Sequence, residues 1–241
     1  MSTRADEMME AAGADLAAAL PITVWYDYHC PYSRRAVAWL DELGPDRVVP
    51  TYRAFSLEQV NHDPTGEAWR IWEQPLTYEH YRGRQDRRGL AAFLATEVLA
   101  KAESPAVMRR FRDAVYAARF DRRFDISDVG TLAAAAAQAG AGSAGRDGAL
   151  LRVALGEEAI LEPARRKLAA DWAAARGEWE VFGVPTLQLP GDAPVYLKLE
   201  QAPAAGSEAL DLLRRLVELR ATTPYLIELK RPERVTDDPP G

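Results

Sequence analysis

The chain of 241 residues and 26.6 kDa is long enough for one large domain or a domain with a sizeable insertion, which excludes small stapled scaffolds. It is 48% hydrophobic and 27% charged, with no apolar run near the roughly 18 to 20 residues that span a bilayer. Its 30 basic and 36 acidic side chains give a net charge of −6, so neither nucleic acid nor a membrane is an expected partner, and its single cysteine, Cys30, excludes an intrachain disulfide and polycysteine metal sites.

In chain order, 1–19 reads as a helical extension. Arg4 stands there against Asp6, Glu7, Glu10 and Asp15, and the apolar stretch Leu16–Leu20 is too short for a secretory signal. With no structural disulfide, the expected compartment is the cytoplasm. Ile22–Tyr28, rich in β-branched and aromatic residues, reads as a buried strand. Ser33–Leu43 places Ala36, Trp39, Leu40 and Leu43 on one helical stripe that Gly44 and Pro45 end, and Arg47–Leu57 is the next strand. Strand, helix, strand over so short a distance is a right-handed βαβ unit with parallel strands.

From Thr77 to Gly177 the pattern is helical: Gln85–Ala102, Ser104–Phe120, Ser127–Gly140, Ser143–Glu157 and Ala159–Gly177. Ser104-Pro105 is a capped start followed by Val107, Phe111, Val115 and Ala118; Ile160, Ala164, Leu168, Trp172 and Ala175 form the stripe of the last helix. Strands return at Val181–Leu189 and Val195–Leu199. Ser207–Ala221 closes with Leu212, Leu213, Leu216 and Leu219 facing the core, and Arg231–Gly241 reads as a loose tail. The expected architecture is α/β, with 20–63 and 180–222 forming one discontinuous domain, 64–179 an all-helical insertion and 223–241 a C-terminal tail.

Cys30-Pro31-Tyr32-Ser33 sits where the first strand hands over to the first helix, with Cys30 at or beside the N-cap and Pro31 at the first helical position. The free amides of Tyr32 and Ser33, the Ser33 hydroxyl and the positive helix end all favour a thiolate, so the expectation is a thiol pKa lowered toward neutrality. A lone cysteine also serves as a small buried hydrophobe; the strand-to-helix position points instead to a nucleophile.

Asp27-x-x-Cys30-Pro31-Tyr32-Ser33, the helical block, and Phe182-Gly183-Val184-Pro185-Thr186 before a later strand together resemble the DsbA-like branch of the thioredoxin fold. The likeness is closest to its cytoplasmic members: FrnE-like oxidoreductases, 2-hydroxychromene-2-carboxylate isomerases and kappa-class glutathione transferases. It extends from about Pro21 to Ala221. The resemblance implies a thioredoxin-like fold, a cis Pro185 whose neighbours Val184 and Thr186 lie against the active-site sulfur and bind thiol or extended substrate, and a catalytic pair Cys30 and Ser33 with Pro31, Tyr32, His29 and Arg34 as further substrate- or thiol-binding residues. The second position of the C-x-x-C pair is Ser33, so no resolving thiol exists. A redox enzyme of this kind works as a monothiol, with no tightly bound cofactor and with a low-molecular-weight thiol, glutathione or an equivalent, as co-substrate. Small thiols or disulfides, or protein disulfides, are then the partners. Alternatively Cys30 occupies the place of a serine in a thiol-dependent isomerase or transferase of small aromatic substrates. A third reading is a non-catalytic binding or chaperone-like module. Monomer and homodimer both remain open.

The remaining signals are weaker. Gly140-Ala-Gly142-Ser-Ala-Gly145 spells a dinucleotide fingerprint but follows an alanine-rich helix, so it reads as an interhelical loop. His29, His62 and His80 have no metal-ligand spacing. His29 reads as an exposed loop residue, with stabilisation of the Cys30 thiolate as its second reading. Arg34 and Arg35, placed against the helix dipole, either bind the carboxylates of a small thiol or are solvated. The resemblance implies that Trp69, Trp72, Tyr78 and Tyr81 line an apolar substrate cleft, while the residues themselves read equally as interdomain packing; Arg82, Arg84, Arg87 and Arg88 read as a solvated helix face.

Overall fold

A computed structural model describes residues 19–203, 206–223 and 226–228. The expected helix over 1–19 and the loose tail at Arg231–Gly241 lie outside the described residues, apart from residue 19, which is not helical. Strand β1 (Leu20–Tyr26) leads into helix α1 (Pro31–Leu43), β2 (Val48–Ala54) and α2 (Leu57–His62). Short 3-10 turns at Ile71–Glu73 and Gln85–Arg87 precede α3 (Leu90–Ala100), α4 (Pro105–Phe120) and α5 (Val129–Ala139). Two more turns lead to α6 (Ala149–Gly156) and α7 (Glu158–Gly177), then β3 (Thr186–Gln188), β4 (Val195–Tyr196) and α8 (Gly206–Thr222).

The strands form one sheet in the order β2-β1-β3-β4. β1 and β2 are parallel, with Ile22 opposite Pro50, while β3 is antiparallel to both β1 and β4. Pro50 is tolerated because β2 is an edge strand that needs no second row of amide donors. The chain is thus an α/β fold in which a helical block separates the βαβ and ββα parts of a single sheet. Ile22, Val24 and Leu187 pack on Trp39, Leu40 and Leu43 of α1 and on Ala209, Leu213 and Leu216 of α8. The Trp39 indole donates to the Ala209 carbonyl at 2.9 Å, tying those two helices together. Trp25, on the opposite face, packs with Phe55, Trp172 and Ala175. The largest cluster fills the helical block around Leu90, Phe93, Phe111, Leu132 and Leu168.

Several element boundaries differ from the sequence expectation for local reasons. The strand expected over Arg47–Leu57 stops at Ala54, because Ser56 caps α2 by accepting the Gln59 amide at 3.1 Å. The helix expected from Gln85 begins only at Leu90, so the arginines before it lie on a 3-10 turn and its flanks, not on a helix face. The helix expected from Ser143 begins at Ala149, after Gly145 and Gly148 take left-handed φ of 73° and 73°. In α7 Ile160 faces solvent and Leu161 is buried instead; in α8 Leu219 is exposed and Val217 is buried.

Gly148 is the tightest of these positions, since a Cβ there would sit 2.3 Å from the Ala133 carbonyl oxygen. The clash is with the backbone of α5, which has no rotamer to escape into. Gly148→Ala adds left-handed strain to overpacking, and we expect a loss of about 3 kcal/mol or more, read as a lowered Tm in thermal unfolding. An unchanged Tm would show that the α5–α6 contact yields freely.

Candidate active site

Strand β1 is followed by the turn Asp27-Tyr28-His29, and Cys30 is the N-cap of α1, with φ −91°, ψ 115° and Pro31 at the first helical position. The extended backbone of the cap points the Cys30 side chain at the first turn, where the Ser33 amide donates to Sγ at 3.4 Å. On its other side the thiol donates to the Val184 carbonyl at 3.4 Å, and the Val184–Pro185 peptide is cis. The 181–186 segment is itself held. The Arg176 guanidinium donates to the Val181 carbonyl at 3.0 Å, the Thr186 hydroxyl to the Gly183 carbonyl at 2.7 Å, and the Leu197 amide to the Pro185 carbonyl at 3.0 Å. The structure therefore brings Cys30, Ser33, Val184 and Pro185 together, with Thr186 buried in the strand that follows.

Cys30 is only 4% exposed, packed with Trp25, Phe55, Trp172, Val181 and Val184. This overturns the expected low thiol pKa. Burial pushes the Cys30 thiol up; the Ser33 hydroxyl and amide pull it down by less, and the nearby Asp27 carboxylate adds to the rise. The carbonyl on which the thiol rests accepts its hydrogen bond and offers no donor to a thiolate, so the neutral form is the one the resting site accommodates.

Beneath the turn lies a carboxylate that carries the local geometry. Asp27, 2% exposed, accepts the His29 amide on Oδ1 and the Leu57 amide on Oδ2, each at 2.7 Å. Its own amide donates to Ser33 Oγ at 3.3 Å, and its carbonyl takes the Cys30 amide at 3.2 Å and the Tyr116 hydroxyl at 3.4 Å. Burial raises the Asp27 carboxyl to about 6. One residue beyond Leu57 stands Glu58, whose Oε2 accepts the Tyr78 hydroxyl and the Gly89 amide, while Oε1 is buried without a hydrogen-bond partner, 3.8 Å from His80 Nε2. Burial pushes Glu58 up to about 7.

The other expected site residues fall elsewhere. His29 is not an exposed loop residue: its Nδ1 accepts from Arg119 Nε at 2.9 Å, which leaves the proton on Nε2, donated to the Arg88 carbonyl at 3.2 Å. Burial pushes its pKa down to about 3, with Arg119 and Arg87 adding to the fall, so it stays neutral and supplies no cation to the thiolate. Arg34 forms a two-pronged ion pair with Asp121, at 2.7 Å on each oxygen, that joins α1 to the end of α4. Arg35 donates to the Leu199 carbonyl at 3.1 Å and lies over the Tyr32 ring, where Lys198 also sits at 4.5 Å from the centroid. Phe182, 64% exposed, pairs with Tyr196 beside this surface. Tyr81 stacks on His62, and Trp69 and Trp72 lie tilted against His62 and Trp172, so the aromatic connector packs the block against α2 and α7. Among the described residues no cluster of metal-ligating groups exists and no helix is long and apolar enough to cross a membrane.

Asp27 was visible in the sequence as the first residue of the Asp27-x-x-Cys30-Pro31-Tyr32-Ser33 pattern, without a role. Glu58, Tyr116 and Arg119 carried no signal at all, because each reaches the turn from another element.

The raised carboxyls set the pH dependence of stability. Glu58 titrates near 7 folded and near 4.5 unfolded, so the folded state holds the extra proton between those values and stability falls as pH rises through that window. The change is on the order of 3 kcal/mol. Glu58→Gln removes it, and the difference in unfolding free energy between the two proteins should move by that amount from pH 4.5 to 7; a pH-independent difference contradicts the assignment.

No protein-family model and no curated protein matches the sequence. Among solved structures, the fold is similar to a 2-hydroxychromene-2-carboxylate isomerase at 17% identity, over 86% of this chain and 100% of that one, with a TM-score of 0.52. It is also similar to the oxidoreductase DsbA of Xylella fastidiosa at 19% identity, over 85% of this chain and 87% of that one, with a TM-score of 0.45. Reduced DsbA1 from Neisseria meningitidis matches at 11% identity over the same shares, with a TM-score of 0.46. At these identities the likeness concerns the fold: the chain adopts the DsbA-like thioredoxin fold with a helical insertion.

Proposed function

We propose that the chain is a thiol–disulfide oxidoreductase with Cys30 as its one nucleophile and an external low-molecular-weight thiol as co-substrate. The observation that carries this is the placement of Cys30 Sγ, between the Ser33 amide at the start of α1 and the Val184 carbonyl beside cis Pro185. A sulfur held there faces main chain on one side and helix amides on the other, and both can orient an incoming disulfide.

In the first step the Cys30 thiol loses its proton, and the thiolate attacks one sulfur of a disulfide R–S–S–R. The S–S bond breaks, R–S⁻ leaves, and Cys30–S–S–R forms. With Ser33 in the resolving position, an external thiolate attacks the R-side sulfur. It releases the Cys30 thiolate and carries R away as a new mixed disulfide. Glutathione or an equivalent fills this part, and the disulfide is small or belongs to a protein. No tightly bound cofactor is required, and a single cysteine suits a reducing compartment, which we take to be the cytoplasm.

A second reading has its own observation. A buried, neutral Cys30 thiol that donates a hydrogen bond is also suited to hold the sulfur of a bound thiol without reacting with it, as a thiol-dependent isomerase or transferase of small aromatic substrates requires. Mass spectrometry separates the two: the oxidoreductase gives a Cys30 mixed disulfide when offered a small disulfide, and the isomerase or transferase binds thiol saturably while Cys30 stays reduced.

Because burial raises the thiol, exchange should speed up as pH climbs above the ordinary thiol range, not level off near neutrality. Ser33→Ala removes a donor to the thiolate and should move that profile further alkaline. A rate already flat at pH 7 is incompatible with the buried neutral thiol. Ser33→Cys supplies a resolving sulfur, so turnover that in the parent rises with added thiol should lose that dependence; unchanged dependence counts against the monothiol cycle.

A further inference from the structure

The arginines between 82 and 88 do not lie on a helix as the sequence suggested; Arg82 and Arg84 are exposed as expected, whereas Arg87 and Arg88 are partly buried. Arg88 is spent on structure, donating to the carbonyls of Leu76, Tyr78 and Gln85 and to the Ser127 hydroxyl. Arg119 of α4 donates to the ring of His29, whose field Arg87 also shares, and Arg84 adds its positive charge to that felt by Arg87 and Arg119. Asp86 is ion-paired with Arg84 at 3.7 Å and with Arg87 Nε at 3.6 Å, distances that are too long for a hydrogen bond. The Arg87 side chain is only 18% exposed, and its Nε is buried with no hydrogen-bond partner. Arg119 spends its Nε on His29, a neutral acceptor that cancels no charge. Arg123 adds a fourth cation and Asp125 a second anion to this surrounding field.

Four guanidinium groups against two carboxylates is an excess of positive charge in a chain whose net charge is −6. Crowding of this kind is unfavourable while empty: burial together with the neighbouring Arg119 and Arg84 holds the Arg87 pKa below its ordinary value. An anion relieves both the repulsion and the unpaired Nε, and the planar fork of arginine suits carboxylate or phosphate oxygens. The cluster also touches the reacting turn, since Arg119 holds the ring of the residue that precedes Cys30.

We propose that Arg84, Arg87 and Arg119 form an anion subsite for the carboxylate or phosphate end of the small thiol or disulfide that reacts at Cys30. This rests on the thiol chemistry proposed above and adds to it the charge of the co-substrate: an anionic thiol in preference to a neutral or cationic one.

Two alkylating reagents of equal size and opposite demand test it without requiring exchange activity. The ratio of iodoacetate to iodoacetamide rates at Cys30, measured in the folded protein and normalised to the same ratio in the chain unfolded in denaturant, should be raised about tenfold by a focused positive field. Salt at about 0.3 M should erode it, and Arg87→Gln should remove most of it. Of inorganic phosphate and acetate at equal ionic strength, the better competitor against iodoacetate names the group that binds. A normalised ratio near one in the parent, or a ratio that Arg87→Gln leaves unchanged, overturns the subsite. If Arg87→Gln does not fold, the parent ratio and its salt dependence decide alone. A protein that shows the charge preference but exchanges no disulfide keeps the subsite and loses the proposed function; one that exchanges without preference does the reverse.

Discussion

The Asp27 carboxylate, buried beneath the turn, is the contact on which the site depends. Its two oxygens take the amides of His29 and Leu57, so one side chain fixes both the exit of β1 and the entry to α2. Each of those amides would otherwise be a part-buried donor without a partner, at a cost of about 1 to 3 kcal/mol apiece. Because the same residue's amide and carbonyl also engage Ser33 and Cys30, the sulfur's position follows from the acid's position. Burying the acid raises its own pKa and helps raise that of Cys30. Geometry and reactivity are therefore set by one group and pull in opposite directions.

That opposition explains the character of the thiol. Helix-end amides and the Ser33 hydroxyl favour a thiolate, and they act over a hydrogen bond's length. Desolvation by Trp25, Phe55, Trp172 and Val184 acts on the whole sulfur and wins. The Val184 carbonyl completes the balance by accepting a hydrogen bond from the neutral thiol. A sulfur arranged in this way is protected at rest, and its activation is a matter of what replaces that carbonyl contact when a substrate arrives.

The helical block supplies the site with more than a wall. Arg34 of α1 is bound by Asp121, the residue that caps the end of α4, Asp27 by Tyr116 of α4, and His29 by Arg119 of α4, so one helix and its C-cap reach α1 and the turn before it at three places. Arg165 of α7 secures the connector by donating to the carbonyls of Trp72 and Gln74. The two parts of the chain are consequently coupled through the reacting turn, and substitutions along α4 will be felt at Cys30 without touching it.

By itself the sequence determined the order of elements, the parallel pairing of β1 with β2, the capping position of Cys30 and its lack of an internal resolving partner. These follow from local patterns: hydrophobic period, a cap followed by proline, and a count of sulfurs. The tertiary structure decided what those residues experience. Whether the Cys30 thiol is raised or lowered depends on atoms from Phe55, Trp172 and Val184, far along the chain. Whether His29 carries charge depends on its burial and on Arg119, and Arg87 is largely buried where Arg84, three residues earlier, stays half exposed. Burial and field are properties of neighbours in space. The sequence placed the groups that do the chemistry, and only the packing of distant segments set their charge.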